Sequence, residues 1–163
     1  MRIVLDSNVL VDAFLPEGKV EERKIQRARK ARRLWKACVS GMHEAWIPAI
    51  GLAEICASLS RLKSSKSSVL AAVEQVQRHT TVVYEDEQFA KVTLPRIADV
   101  DFHGADAVFA VLAALMGLRL VTCDATLRDH LEKCYDTLAV EVRLLDDLDD
   151  GEIGYPSEEP EAS

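Results

Sequence analysis

The sequence predicts an α/β fold: a three-layer domain with a central parallel sheet of four to five strands and helices on both faces. Two observations carry this. Short apolar or β-branched segments alternate with longer stretches of helical periodicity from end to end. The first of these segments, Ile3–Leu5, is apolar throughout, as expected of a strand buried on both faces. Right-handed crossovers follow as the default connection.

The first segment, Ile3 to Leu5 in "IVLDSNVLVD", is a short buried strand. Val9 to Leu15 starts a helix that Pro16-Glu17-Gly18 breaks. From Val20 to Met42 the apolar positions Ile25, Ala28, Ala31, Trp35, Cys38 and Met42 recur every three or four residues. That spacing marks an amphipathic helix with Lys and Arg on its other faces. Trp35 falls on the apolar stripe, which assigns it to the core. Ala45 to Ile47 is a strand ahead of Pro48. Ile50 to Leu62 is a helix with Leu52, Ile55, Leu59 and Leu62 on its apolar side.

A Ser/Lys turn, Ser64 to Ser68, leads into a helix over Val69 to Arg78, and Thr80 to Val83 is a β-branched strand. Glu85 to Ile97 is helical with a disturbance at Pro95. Ala105 to Met116 is a strong helix closed by Gly117. Leu118 to Cys123 is a strand, Thr126 to Lys133 a helix and Ala139 to Leu144 the last strand. The domain therefore runs over residues 1–144. Residues 145–163 carry eight acids, no Lys or Arg, and Gly151, Gly154, Pro156 and Pro160. They are expected to form an acidic, disordered tail.

Composition narrows the class. With 163 residues, 48% apolar and 29% charged, the chain is an ordinary globular domain with room for one core. No stretch has the ~20 apolar residues that span a bilayer. The start, MRIVLDSN, lacks a signal-peptide h-region, so a cytoplasmic location is expected. Cys38, Cys56, Cys123 and Cys134 have no C-x-x-C spacing and do not cluster with the four histidines. Reduced thiols are expected, with neither a zinc site nor a disulfide framework. The net charge of −7 hides an asymmetry. Outside the tail, 19 acids face 20 bases, and nine of those bases fall between Lys19 and Lys36.

In parallel sheets, ligands bind beyond the carboxyl ends of the strands, often where strand order reverses. Asp6 follows the first strand, Asp124 follows Leu120-Val121-Thr122-Cys123, and Asp106 opens the long apolar helix. Glu54 lies off the apolar stripe of its helix, on a face with Ala57, Ser58 and Arg61. Taken singly, Asp106 and Asp124 are good helix N-terminal acids, and Glu54 is a solvated helix residue. Asp6 is harder to dismiss, because a carboxylate after a buried strand needs donors or a cation. Asp12 is at no strand end and drops out, and Ser7 keeps a turn role. Together the four acids would repel one another without a cation. Oxygen ligands without His or Cys suit Mg²⁺ or Mn²⁺, a combination that performs phosphoryl chemistry.

These residues resemble a known family. Asp6-Ser7-Asn8 after the first strand, Glu54 in "AIGLAEICASLSRL", Asp106 in "GADAVFAVLAALMGLRL" and Asp124 in "LVTCDATL" are similar to the motifs of the PIN domain, over about residues 1–144. The small single-domain form resembles the VapC-type ribonuclease toxins of toxin–antitoxin pairs. The resemblance implies a Mg²⁺- or Mn²⁺-dependent endoribonuclease with an RNA substrate, a cognate antitoxin protein and a homodimer. Carried over, Asp6, Glu54, Asp106 and Asp124 form the acidic catalytic and metal site, Asn8 and Thr122 support it, and Asp129 is a second-tier candidate. Hydrolysis would leave a 5′-phosphate and a 3′-hydroxyl. The chain departs from the pattern in its basic helix, its acidic tail and Cys123 inside the strand-end motif.

Arg23, Arg27, Lys30 and Arg33 on the basic helix are candidates for tracking an RNA backbone, and the acidic tail would compete for them. A PIN-fold RNA-binding or scaffold protein without turnover, and a PIN nuclease outside a toxin–antitoxin pair, remain alternatives. A phosphatase is disfavoured because Asp6-Ser7-Asn8 lacks the second Asp of D-x-D, and a receiver because no Lys sits at a distal strand end. A dinucleotide fold is disfavoured because G-x-G-x-x-G is absent.

Overall fold

A computed structural model describes residues 1–16, 18, 24–62, 64–100 and 104–154. It contains five strands: β1 (Arg2–Leu5), β2 (Glu44–Pro48), β3 (Thr81–Val83), β4 (Arg119–Thr122) and β5 (Val142–Leu144). All pair in parallel, in the order β3-β2-β1-β4-β5. Among the described residues the helices are α1 (Ser7–Phe14), α2 (Ile25–Val39), α3 (Ala49–Arg61), α4 (Lys66–His79), α5 (Glu87–Ala98), α6 (Gly104–Met116), α7 (Ala125–Lys133), α8 (Tyr135–Leu138) and α9 (Asp150–Ile153).

The strand order places a switch point at the centre. From β1 the chain steps to β2 and β3 on one side; from β4 it steps to β5 on the other. With right-handed crossovers, α1–α4 then cover one face and α5–α8 the other. The helix contacts agree: α1 packs on α2 and α3, α3 on α4, and α6 on α5 and α8. β1 and β4 lie side by side at the reversal, the place where such sheets take their ligands.

The core explains why the elements sit as they do. Ile3, Val4, Leu5, Leu120 and Val121 are fully buried in the two middle strands. α6 buries Ala107 and Phe109–Ala113, because it is apolar nearly all round. Gly51 permits a close approach: a Cβ there would stand 2.8 Å from both Ile47 Cδ1 and Phe109 Cζ. This seats α3 against β2 and α6, one turn before Glu54.

Three expectations need correction. The helical stripe does not reach Met42. α2 ends at Val39, Ser40 N–H closes onto Lys36 O at 2.9 Å, and Gly41 turns through φ +78°, leaving Met42 exposed. Trp35 is half-buried and stands at the core's edge, 5.5 Å from the Phe14 ring. The boundary at residue 144 also moves. Leu145, Leu148 and Ile153 are buried and belong to the core, and α9 is closed by an Asp149/Glu152 capping box. The acids mask an apolar pattern of three large residues in nine. The rest of the expected tail, 155–163, lies outside the described residues.

The helix disturbance expected at Pro95 is absorbed: α5 continues to Ala98. Thr93 is its one fully buried residue, with its hydroxyl on Phe89 O at 2.9 Å.

Candidate active site

Asp6 sits where β1 stops. Its N–H still pairs with Val121 O of β4 at 3.0 Å, and its carboxylate already caps α1. The residue is 4% exposed. Oδ2 accepts from Thr122 Oγ1 at 2.6 Å and Asn8 Nδ2 at 2.7 Å, while Oδ1 accepts from Ser7 Oγ at 3.3 Å. Asn8 Oδ1 in turn accepts from Cys123 N–H at 2.9 Å. The network locks the ends of β1 and β4 to each other. Thr122 Oγ1 has one hydrogen to give, to Asp6, and accepts from Asp124 N–H at 3.0 Å.

Burial dominates the electrostatics, and neighbouring like charges add to it. Burial pushes the Asp6 carboxyl up to about 6; bonds from Thr122 and the Asn8 N–H oppose the rise, and Asp106 and Glu54 add to it. Glu54, half-buried on α3, is also raised, first by desolvation and then by Asp106, against a hydrogen bond from Ser7. Ser7 therefore stands between Asp6 and Glu54. The turn role assigned to it from sequence is too small, although a hydroxyl directly after the strand-end acid was the signal.

Asp6, Glu54 and Asp106 thus come together from β1, α3 and the first turn of α6. Asp124 stands at the rim. It is exposed, and its Oδ1 takes the Thr126 and Leu127 N–H groups at the start of α7, at 2.7 and 3.2 Å. Asp129 is exposed and pairs with Arg128 at 2.7 Å. Among the described residues no three Asp, Glu, His or Cys side chains converge closely enough to cage a metal ion as they stand. The three acids nonetheless lie within electrostatic reach of each other, with hard oxygen donors only. That set fits Mg²⁺ or Mn²⁺, which keep several waters and take few protein ligands.

The family follows from the sequence match: the PIN domain profile covers residues 3–131. The chain belongs to the PIN domain family. Similar solved structures share the PIN fold at low identity. One is a chain of VapBC2 from Rickettsia felis bound to a promoter DNA fragment, with 15% identity and TM-score 0.56, covering 88% of this chain and 98% of that one. Another is a chain of FitAB bound to the IR36 DNA fragment, with 16% identity and TM-score 0.57, covering 90% and 97%. No curated protein matches the chain. In this PIN domain the acids stand at the switch point between β1 and β4.

The basic residues meet partners inside the chain. Arg27 Nε bonds Asp12 Oδ2 at 2.6 Å, Lys30 Nζ bonds the Asp146 carbonyl at 2.6 Å, and Arg33 pairs with Asp150 at 2.7 Å. Arg23 lies outside the described residues. Buried Asp12, set aside from sequence, is thus the partner of a basic-helix residue. The thiols are free, and burial pushes Cys38 up to about 12 and Cys123 higher still, so neither is a nucleophile at neutral pH. A separate cavity of about 430 Å³ lies at the far end of α1, between Phe14, Leu59, Ser65 and Ala72, and none of the four acids lines it. Among the described residues no helix is long and apolar enough to cross a membrane.

Proposed function

We propose that this PIN domain is a metal-dependent endoribonuclease that hydrolyses RNA phosphodiester bonds. The carrying observation is the group Asp6–Glu54–Asp106 at the switch point, where burial raises Asp6 and Glu54 and Asp106 adds to both. Asp6 and Asp106 would hold Mg²⁺ or Mn²⁺, with Glu54 and Asp124 completing the site. The ion, when bound, supplies a Lewis acid for the phosphate and a lowered pKa for a coordinated water.

The chain's own residues do the rest. Thr122 and Asn8 hold the Asp6 carboxylate in one orientation, and Ser7 gives its one hydroxyl hydrogen to Asp6 or to Glu54. Glu54, with its raised pKa, accepts a proton from the attacking water at its carboxylate oxygen. The water oxygen bonds to phosphorus as the bond to the 3′-oxygen breaks, and that oxygen takes a proton from solvent, leaving a 5′-phosphate and a 3′-hydroxyl. Cleavage of single-stranded RNA that needs Mg²⁺ or Mn²⁺ and falls by more than about 100-fold in Asp6→Asn supports this. The expected loss exceeds that of a metal's supporting partners. Wild-type-like cleavage by that variant refutes it.

We further propose that the chain is the toxin of a toxin–antitoxin pair. The support is the likeness to VapBC2 and FitAB, each a complex found on DNA. Co-purification with the product of a small neighbouring gene tests this. A homodimer is also proposed, with the exposed Val92 and Leu94 on either side of the buried Thr93 as apolar surface of α5 open to a partner; light scattering tests it. The competing reading, an RNA-binding scaffold without turnover, gains from Asp124, whose Oδ1 is spent on a helix start. RNA binding without cleavage at any divalent-ion concentration would select it.

A further inference from the structure

Between the acids and the basic helix lies an ion pair that the proposed reaction does not use. Asp12 is 7% exposed, and Arg27 Nε meets its Oδ2 at 2.6 Å. Burying an ion pair gives little net stability, because desolvation offsets most of the attraction. What the pair does provide is direction. The Asp12 side chain is 11% exposed, so the guanidinium is held against a fixed carboxylate while 25% of the Arg27 side chain stays open. Nε is occupied. Among the described residues no second partner takes the Nη edge, which is the planar fork that matches a phosphate.

The position follows from α1. Asn8 and Asp12 are four residues apart and share a helix face. Asn8 is bonded to Asp6 at 2.7 Å and to Cys123 N–H at 2.9 Å, so this face runs directly on from the acid group. Asp12 is six residues beyond Asp6, about 9 Å at the helical rise of about 1.5 Å per residue. At about 3.4 Å per nucleotide of a stacked strand, that spans roughly two to three nucleotides. Lys30, three residues after Arg27, is held by the Asp146 carbonyl, a neutral acceptor that leaves its charge uncancelled there. A strand approaching three carboxylates is repelled by them; a fixed fork beside them gives it a hold.

We propose that Arg27 binds a backbone phosphate of the RNA two to three nucleotides from the acid group, with Asp12 as the positioning residue that fixes it. The inference rests on the ribonuclease reading and adds a register for the substrate. It differs from a basic strip along α2, because Arg33 is taken up by Asp150 and one oriented contact replaces a smear of charge.

The test is the anisotropy of a fluorescein-labelled single-stranded 12-mer RNA on the full chain, in EDTA, across a salt series. Asp12→Asn with Arg27→Gln removes both charges and keeps a hydrogen bond between the positions, so no lone buried charge remains. This double variant should bind about tenfold more weakly at low salt, the worth of one charged hydrogen-bonded contact. Its log–log salt slope should be shallower by about 0.7, the loss of one phosphate contact on a single strand. Arg27→Lys keeps the charge and the ion pair but not the fork. It should keep the slope, lose most of the affinity and raise KM with kcat within about threefold. If the double variant is unstable, Arg27→Lys carries the test alone. Unchanged affinity in Arg27→Lys, or unchanged affinity and slope in a folded double variant, overturns the assignment and leaves the ribonuclease reading intact. Absence of RNA binding by the wild-type chain overturns both.

Discussion

At the carboxyl ends of β1 and β4, acids face acids; along α2 and residues 145–154, bases face acids. In the first region burial raises Asp6 and Glu54, with Asp106 adding to both and Glu54 to Asp6. In the second, Arg33 meets Asp150, Arg119 and Arg143 share Glu152 at 3.2 and 3.1 Å, and Lys30 meets the Asp146 carbonyl. The difference separates function from architecture. A domain gains nothing in stability from buried like charges, which is why the proposed function rests on the unbalanced region. The balanced region is fastening, and its cations are largely spent. Raw counts of charge along the sequence would have ranked the two the other way.

The strongest way to break this comparison is to remove the fastening. Truncation after Leu144 deletes Leu145, Leu148 and Ile153, each at most 2% exposed. At roughly 2 kcal/mol or more for each buried aliphatic side chain, the loss exceeds about 5 kcal/mol, comparable with the whole stability of many domains. The truncated chain should be unfolded or lose tens of degrees by circular dichroism. A folded product with an unchanged Tm would make 145–154 an appendage after all. His43 adds to the hold, since its Nε2 bonds Ile153 O at 2.9 Å.

The next effect sharpens the other side. Burial pushes the Asp6 carboxyl up from its ordinary 3.8 to about 6. A carboxyl raised on folding binds its proton more tightly in the native state. Its contribution to stability is therefore fully present below about pH 4 and is lost as pH rises through about 6. Two pKa units correspond to about 3 kcal/mol at pH 7. Asp6→Asn removes that penalty, so without divalent ions its Tm should gain on the wild type by several degrees between pH 4.5 and 7.5. Calorimetry at the two pH values checks it, and a constant difference would mean that the site is not strained by charge. The same substitution should abolish cleavage, so stability and activity are expected to move in opposite directions.

Much of this was legible in the sequence, for reasons that differ by region. The strands were legible because Ile3–Leu5 and Leu120–Thr122 are buried on both faces and so read as unbroken apolar runs. Asp6 was legible because a carboxylate next to such a run has no cheap explanation. Ser7 and Asp12 were not, since each depends on what another element brings near: Glu54 on α3 for Ser7, Arg27 on α2 for Asp12. Residues 145–154 were misjudged because eight acids in 145–163 outweigh three aliphatics in any local average. Burial is decided by which face those three share.

A smaller perturbation probes how the two faces of the sheet are held around the acids. Gly51→Ala places a Cβ 2.8 Å from Ile47 Cδ1 and Phe109 Cζ, so α3 must shift or the neighbours must move. Overpacking of this kind costs about 1–3 kcal/mol. Glu54 lies one turn further along α3, so the shift should also lower cleavage by more than the stability loss explains. Equal activity at equal folded fraction would show that Glu54 tolerates displacement.

The weakest effect is expected from the ion pairs themselves. Arg33 and Asp150 stand 2.7 Å apart, but the Asp150 side chain is 69% exposed. Such a pair is worth about 0–1 kcal/mol, because water screens it and ordering two side chains offsets the attraction. Asp150→Asn should therefore move Tm by no more than about 2–4 °C, while removing one acid from beside α2. If the competition between acids and RNA for this helix matters, the variant should bind single-stranded RNA more tightly at low salt, and the gain should vanish at high salt. Unchanged affinity at low salt would confine residues 145–154 to fastening and leave phosphate contact to the Arg27 end of the helix. The small stability change is what makes this measurement interpretable where the truncation is not: affinity can be compared between two folded chains.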